Sequence, residues 1–459
     1  MIGQSKRSGW LPLLAGIIFL AGMLSGRLLE SKGLAQQAET YEELQPFSEV
    51  LHQVQRNYVE EVKTKDMVYG AIRGMLNTLD PHSAFMPPDN YKEMQVDTKG
   101  EFGGLGIQIG IKDDRLTVIA PIEDTPAERA GIKAGDKILK IDGVSTKDVS
   151  LTDAVNKMRG AKGTKVNLTL GREGVAQPIE VSLTREIIKI QSVRSKMLDN
   201  GIGYLRLTQF QEQSGKDLTK ALEGLHGKNM QSIILDLRNN PGGLLSAAVE
   251  VSELFLPKGK TIVSIKGRQE KAEEYTADGA KPYLDLPMIV LVNEGSASAS
   301  EIVAGAMQDW GRAVVVGTTT FGKGSVQTII PLSDGSGLRL TTAKYYTPKG
   351  RSIQNTGIDP TITVRATSAR DGSRRQITRE RDLERHLKNE TESGSGSPPI
   401  ESAPEPTPVP DEPRQETEEE DVQLQKAIDL LKTWNVFKGL LTQPVPQPDV
   451  VQGPKDKST

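Results

Sequence analysis

The stretch MIVLVNEGSASASEIVAGAMQD, residues 288 to 309, decides how this chain is read. An unbroken apolar run, Met288 to Val292, suits a strand buried on both faces, as strands of parallel sheets are. It ends in an acidic-polar turn and six small residues, Gly295 to Ser300, after which a helical pattern begins. A strand that runs into a tight small-residue turn and then a helix is the geometry of a nucleophile elbow. The side chain at the turn is held at the sheet edge, and the next N–H points at whatever is bound there. The helix N-terminus adds unpaired N–H groups and a partial positive charge, both suited to a developing oxyanion. The same serines also suit an N-cap preceded by small packing residues. The turn alone therefore does not say whether Ser296, Ser298 or Ser300 does chemistry.

Outward from this turn, residues 201 to 365 alternate strand and helix. IGYLRL, a helix over 214 to 225, SIILDL, a helix over 244 to 255, MIVLV, a helix from about 298 to 309, and AVVVG follow in order. Apolar strands between amphipathic helices imply βαβ units and a mostly parallel sheet. After Gly317 the pattern turns to hairpin strands, SVQTIIPL and GLRLTTAKYY, joined by SDGSG. Residues 102 to 186 differ again, with short alternating runs broken by glycines and charged turns and one helical piece, Leu151 to Met158. They read as a small β-rich domain. Residues 41 to 95 are helical by the spacing of Val50, Leu51, Val54 and Tyr58 and of Val68, Ile72, Met75 and Leu79, and Pro81, Pro87 and Pro88 close the pattern. With little room for a core, that segment is expected to pack on another domain or a second copy. Residues 389 to 421 hold eleven carboxylates and one arginine among frequent Pro, Ser and Gly, the composition of a disordered acidic linker. An amphipathic helix over 422 to 441 follows, with Leu424, Ile428, Leu431 and Trp434 on one face.

The whole chain has 459 residues and a net charge of −3, room for several domains but no electrostatic footprint for nucleic acid. The absence of cysteine excludes disulfides, thiol catalysis and Cys-ligated zinc. Only four histidines exist, His52, His82, His226 and His386, all far in sequence from the serine turn. At the N-terminus, Lys6 and Arg7 precede an apolar run from Trp10 to Leu24, with Arg27 and Gly33-Leu34-Ala35 behind it. Residues 1 to 35 fit a secretory signal, either removed or kept as a membrane anchor, which places the working part outside the inner membrane.

Two further stretches bear on the chemistry. LDLRNNPGGLLSAA also runs strand, glycine turn, helix, so Gly242 and Gly243 can bring bare N–H groups close to a ligand; no Gly-Lys-Ser/Thr pattern marks an NTP site. TTTFGKGSVQ sets Lys323 between two glycines beside Phe321 and Val326. Together, SASASEI (296 to 302), FGKGSVQ (321 to 327) and LRNNPGG (237 to 243) resemble the tail-specific or carboxyl-terminal processing proteases, a Ser-Lys serine peptidase family. LDPHSAFMPP (79 to 88) resembles its N-terminal helical segment, and FGGLGIQIG with TPAERAGIKAGDKILKIDG its PDZ domain. GRSIQNTGIDP resembles the strand after its catalytic lysine, and RDLERHLKN and DVQLQKAIDLLK its C-terminal region. The resemblance runs in order over roughly residues 41 to 365.

The resemblance implies an α/β plus β fold: a crotonase/ClpP-like α/β protease core over 190 to 365, flanked by 41 to 101, with an inserted PDZ domain and N- and C-terminal helical segments. It implies a serine endopeptidase that needs no cofactor or metal. Ser298, twenty-five residues before Lys323, matches the family's nucleophile, Lys323 its base and Gln327 its accessory glutamine. The lysine amine must then be neutral near pH 7, well below its ordinary pKa; burial beside Phe321, with no carboxylate close in sequence, is consistent with that. Gln327 is expected to hold the amine by a hydrogen bond without ionising it. The oxyanion hole falls to the N–H of Ala299 and that of Gly242 or Gly243, while Ser296 and Ser300 are left as turn and capping residues. In the PDZ-like domain the N–H groups around Gly104, Leu105, Gly106 and Ile107 would hold the carboxylate of an apolar C-terminal tail. The expected partners are such protein substrates, a second copy of the chain, and the membrane through an uncleaved N-terminal segment, with no nucleic acid. A catalytically silent PDZ scaffold need not keep Ser298, Lys323 and Gln327 together. A crotonase-like acyl-CoA enzyme would leave the PDZ-like insert and the export signal without a role.

Overall fold

The structure is a computed structural model that describes residues 42–147, 149–268, 271–279, 283–365, 378–389 and 421–441. The export segment expected over 1 to 35 lies outside them. Among the described residues no helix is long and apolar enough to cross a membrane. The chain divides into two units, residues 1–76 and 77–459. In the first, a helix over 42–57 leads to the helix Thr64–Asn77, and Leu44, Phe47, Val50 and Tyr58 stand exposed.

Among the described residues the second unit holds four sheets, of which two form its protease-like part. The main one orders its strands as the chain does: Val193–Leu198, Ile202–Leu207, Ser232–Asp236, Met288–Val292, Val314–Gly317 and Ile362–Thr363. The first pair is antiparallel and every later pair parallel. Strand alternation sends Leu205, Leu207, Ile233, Leu235, Val290 and Val292 to one face. There they meet Leu218, Leu222 and Leu225 of the helix Ser214–His226, Ala247, Ala248 and Val251 of Leu245–Glu253, and Ile302, Val303 and Ala306 of Ala299–Asp309. Each fully buried leucine or isoleucine there is worth about 1.5–3 kcal/mol.

The opposite face presents Ile202, Tyr204, Ile234, Ile289, Leu291 and Val316, which the helix Val422–Leu441 covers with Leu424, Ala427, Ile428 and Leu431. Asp421, just before that helix, takes two hydrogen bonds from the Arg238 guanidinium at 2.7 and 2.8 Å, and Asp236 takes two more. The sequence reading placed residues 389 and 421 inside a disordered linker, and both turn out to be seated. Asn389 is buried and donates to Gln354 O at 2.8 Å. Polar composition hid both, because a carboxylate or amide that meets a buried partner looks like any other in sequence. The rest of that acidic stretch, 390 to 420, lies outside the described residues.

The second sheet is antiparallel and includes the expected hairpin, Ser325–Pro331 with Gly337–Tyr346. Ala84–Met86 and Thr261–Gly267 pair with the same long strand. The helix Thr64–Asn77 stops ahead of Pro81, but Pro87 and Pro88, also expected to end the helical pattern, stand at the N-cap and first turn of a further helix, Pro88–Lys99. Pro88 stands in its first turn, where a missing N–H leaves no bond unmade.

Residues 107 to 184 form the β-rich insert, a sheet ordered Ile107–Lys112, Arg115–Pro121, Lys137–Ile141, Lys165–Gly171, Ile179–Thr184 around its own core of Leu116, Ile138, Val166 and Leu168. Its two ends, Glu101–Gly104 and Glu186–Lys189, pair as a ribbon.

Candidate active site

Two turns at the ends of the strands Ser232–Asp236 and Met288–Val292 are stitched together by Ser296 and Ser300, which the sequence reading left as turn and capping residues. Ser296 Oγ donates to Leu237 O at 2.8 Å and accepts from Asn293 N at 3.0 Å. Ser300 Oγ donates to Asn240 O at 2.9 Å, and Ala297 N donates to the same oxygen at 3.0 Å. Both serines are fully buried. Ser298 is the one of the three with a solvent-accessible side, and its backbone stands at φ +54°, ψ −113°. A non-glycine residue held there stores about 1–3 kcal/mol of strain, which a site retains only when its surroundings over-determine it.

The glycine turn lies directly against Ser298. A Cβ on Gly242 would fall 2.8 Å from Ser298 Cβ and 3.0 Å from Ala299 N, and one on Gly243 would collide with Phe210 O at 2.1 Å. Both glycines also stand at positive φ, so the close approach has no other residue available to it. The structure separates the two. The Gly242 N–H is committed to Asn240 Oδ1 at 2.9 Å, whereas the N–H groups of Gly243 and Ala299 have no acceptor among the described residues.

Glu301, one turn into the helix, joins Ser298 to the lysine loop. Its carboxylate is completely buried and takes four donors: Ser298 N at 2.7 Å and Lys323 N at 3.0 Å on Oε2, Thr320 Oγ1 at 2.5 Å and Gly322 N at 2.8 Å on Oε1. Since Ser298 N and Lys323 N both lie within 3.0 Å of one oxygen, they are at most about 6 Å apart. Burial pushes the Glu301 carboxyl up to about 7, and the four hydrogen bonds act in the opposite direction. A second clasp comes from Gln354, whose Oε1 accepts Gly324 N at 2.9 Å and whose Nε2 donates to Glu380 at 2.9 Å.

The Lys323 amine is held below its ordinary pKa, first by burial and then by the Arg339 guanidinium; Glu380, Glu301 and Asp80 pull it the other way without reversing the direction. The loop thus has no carboxylate close in sequence but three in space. Gln327 does not hydrogen-bond the amine. Its Nε2 donates to Ser325 Oγ at 3.0 Å and to Thr341 Oγ1 at 3.4 Å, and its Oε1 accepts nothing among the described residues. Thr341 in turn donates to Asp80 at 3.1 Å. His82 pairs with the buried Glu380 at 2.7 Å.

Sequence reasoning missed Glu301, Asp80 and Glu380, and with them Tyr345, buried on the hairpin's second strand, Gly337–Tyr346. For Glu301 a signal existed: Ser298-x-x-Glu301 has the capping-box spacing, and the carboxylate does close back on Ser298 N. The others come from distant segments and carry no local signature.

In the insert, the strand Ile107–Lys112 is an edge, bonded only to Arg115–Pro121. The N–H groups of Leu105 and Gly106 just before it donate to nothing among the described residues, while Leu105 O and Gly106 O accept Ala127 N and Ile122 N. Gly106 stands at φ +77° with its Cα against Thr125, where a Cβ would come within 2.2 Å of that side chain. Gly104 closes the ribbon strand, and Ile107 opens the edge strand.

Comparison with known proteins agrees with this architecture. Residues 201–364 match the model of peptidase family S41, residues 93–171 that of the PDZ domain, and residues 23–90 that of the activating protease CtpB N-terminal domain. The chain is 43% identical over 428 residues to a carboxy-terminal-processing protease of Bartonella bacilliformis, covering 91% of this chain and 95% of that one. It is 44% identical over 319 residues to a carboxyl-terminal-processing protease of Synechocystis, covering 68% and 74%. Among solved structures, the photosystem II D1 C-terminal processing protease aligns with a TM-score of 0.41 at 32% identity, over 70% of this chain and 92% of that one.

Proposed function

This chain belongs to the carboxy-terminal processing proteases of peptidase family S41 and is a serine-type peptidase carrying a PDZ domain, and from that premise we propose that Ser298 and Lys323 are its catalytic dyad. The observation that carries this reading is the shared Glu301 oxygen, which brings a strained, accessible serine and a buried lysine with a lowered pKa to one place.

In the reaction, Ser298 Oγ attacks the peptide carbonyl while Lys323 Nζ takes the hydroxyl proton and later returns it to the leaving amine. The carbonyl oxygen becomes an oxyanion between the N–H groups of Ala299 and Gly243, the two donors left unpaired beside the serine. Gly242 serves by its missing side chain, since its own N–H is occupied. Gln327, tethered through its amide nitrogen, turns Oε1 toward the amine once the lysine swings to the serine. Water then enters, Lys323 removes its proton, and the acyl-enzyme is hydrolysed.

Substrates are recognised through apolar C-terminal tails. The free N–H groups of Leu105 and Gly106 donate to the terminal carboxylate, between Gly104 and Ile107, while the tail adds as a strand to the open edge of Ile107–Lys112. The protein works in the cell envelope, exported by residues 1 to 35, and pairs with a second copy. The exposed apolar residues of the 42–57 helix support that pairing.

The experiment that tests the reading compares cleavage of one protein carrying an apolar C-terminal tail with the same protein carrying a charged one, by the full chain and by its Lys323→Ala variant. The expected result is cleavage of the apolar-tailed substrate by the unaltered chain alone. Equal cleavage of both tails removes the recognition claim, and cleavage by the alanine variant removes the dyad.

A further inference from the structure

Two carboxylates hold the lysine loop, residues 321 to 324. Glu301 takes the N–H groups of Gly322 and Lys323. The second is Glu380, which reaches the loop on both sides of the lysine. Its backbone N–H donates to Phe321 O at 3.2 Å. Its carboxylate accepts Gln354 Nε2 at 2.9 Å, and Gln354 Oε1 in turn accepts Gly324 N at 2.9 Å. The same carboxylate accepts His82 Nε2, at 2.9 and 2.7 Å from its two oxygens. Glu380 is fully buried and His82 partly so. A charge taken out of water is costly unless every donor is in place, so this arrangement asks for more than space-filling.

The groups around Glu380 come from separate parts of the chain, and each is itself anchored. His82 follows a turn in which Asp80 Oδ1 accepts both His82 N and Ser83 N at 2.8 Å, and His82 O accepts Arg339 Nε at 2.9 Å. Glu380 opens the short helical turn Glu380–Asp382. Behind it, Leu387 O accepts the Gln354 and Asn355 side-chain amides at 3.2 and 3.1 Å, and Asn389 Nδ2 donates to Gln354 O at 2.8 Å. Buried polar groups linked in this way hold a loop in one place, because a shift strips donors from a buried charge.

We propose that Glu380, braced by His82, is a positioning residue for the general base, fixing where the 321 to 324 loop presents the Lys323 amine to Ser298. This rests on Lys323 being the base. Neither Glu380 nor His82 exchanges a proton in the reaction; the proton still passes from Ser298 to Lys323 and on to the leaving amine. The same placement gives Glu380 an electrostatic part. The Lys323 amine is lowered first by burial and then by Arg339; of the three carboxylates that raise it, Glu380 acts most strongly, ahead of Glu301 and Asp80. Burial makes the amine neutral, and Glu380 limits the fall so that it stays basic enough for a serine hydroxyl.

Glu380→Gln in the full chain keeps the shape and removes the charge. The expected result is a plateau kcat lower by about 10- to 100-fold with KM within about twofold. The midpoint of the pH–activity curve should also move to lower pH, because the amine has lost the carboxylate that raises it most. A packing role would leave that midpoint where it is. A plateau kcat within about twofold of the parent, or a midpoint that stays or rises, overturns the proposal. His82 gives a second reading, which decides the matter if Glu380→Gln does not fold. His82→Leu removes the donor and should lower kcat about tenfold, and His82→Gln, which restores a donor there, should recover it to within about threefold. Equal loss in both, or loss in neither, overturns the bracing of Glu380 and the proposal with it. Lys323→Ala, assayed alongside, separates the two levels: if that variant cleaves, the base assignment itself has failed, whereas an inert Lys323→Ala beside an undiminished Glu380→Gln sinks only the role of Glu380.

Discussion

Ser298 and Lys323 donate their backbone N–H groups to the same oxygen, Oε2 of Glu301, at 2.7 and 3.0 Å. The proposed nucleophile at the start of a helix and the proposed base in the loop just before the hairpin strand Ser325–Pro331 are thereby referenced to one buried atom instead of to each other. The other carboxylate oxygen adds Thr320 and Gly322, so the loop cannot shift without breaking several bonds at once.

Glu301→Gln preserves volume but turns one acceptor into a donor facing N–H groups. We expect kcat to fall at least about tenfold and stability to drop by about 1–3 kcal/mol, seen in steady-state kinetics and thermal melts. The pH sign follows from the raised pKa, about 7 against an ordinary 4.5. Between those values the folded chain binds the extra proton, so Glu301 weakens the fold as pH rises through 7 and contributes fully only below about 4.5. The parent should therefore lose melting temperature relative to Glu301→Gln between pH 5 and pH 8. A constant difference would mean that the carboxylate does not titrate there.

Lys323→Arg is expected to be as inactive as Lys323→Ala, because guanidinium stays protonated and accepts nothing. The parent's activity should rise with pH as the amine loses its proton, with a midpoint below the ordinary lysine value. Because the folded pKa is lowered, the unfolded chain binds more protons in the window up to 10.5, and the lysine costs stability below that window. Lys323→Met should thus melt at the same temperature or higher at pH 7 while hydrolysing nothing. Turnover by the arginine variant would point to another base, with His82, already paired with Glu380, the next to test.

Ser296→Ala and Ser300→Ala separate structure from chemistry. Each removes a buried hydroxyl that holds the two turns together, so each should lower stability by about 1 kcal/mol and leave kcat within a few-fold. A hundredfold loss in either, with the fold intact, would show that the stitch between the turns governs the reaction.

Much of this was legible before the fold was seen. Met288–Val292 read as a strand because buried parallel strands carry unbroken apolar runs, and the helix of 151 to 158 stood out against alternating strands. Ser298 was singled out through the family resemblance, as the serine twenty-five residues before Lys323. What composition could not carry was where polar groups meet. Asp421 and Arg238, 183 residues apart, and His82 and Glu380, 298 apart, pair only because the fold brings them together. The choice between Gly242 and Gly243 turned on Asn240, whose side chain takes one N–H and leaves the other. Pro88 misled because the same residue that breaks a helix interior opens a helix well.

Removing residues 105 to 185 while keeping the ribbon of Glu101–Gly104 and Glu186–Lys189 tests capture apart from chemistry. We expect the preference for apolar over charged tails to collapse, with cleavage of an unstructured peptide reduced much less. Higher activity on every substrate would make the insert a block on the site, and complete silence would make it part of the catalytic alignment. Unchanged preference in a folded deletion protein would end the capture reading.

The most direct test of the central claim is hydrolysis of an apolar-tailed protein by Ser298→Ala in the full chain, followed by mass spectrometry of the products and a thermal melt of the variant. The account predicts no product above background and a melting temperature at or above the parent's, because alanine removes the hydroxyl and leaves the Glu301 contacts, which are to backbone N–H groups, in place. Product formed at the parent's rate would contradict it.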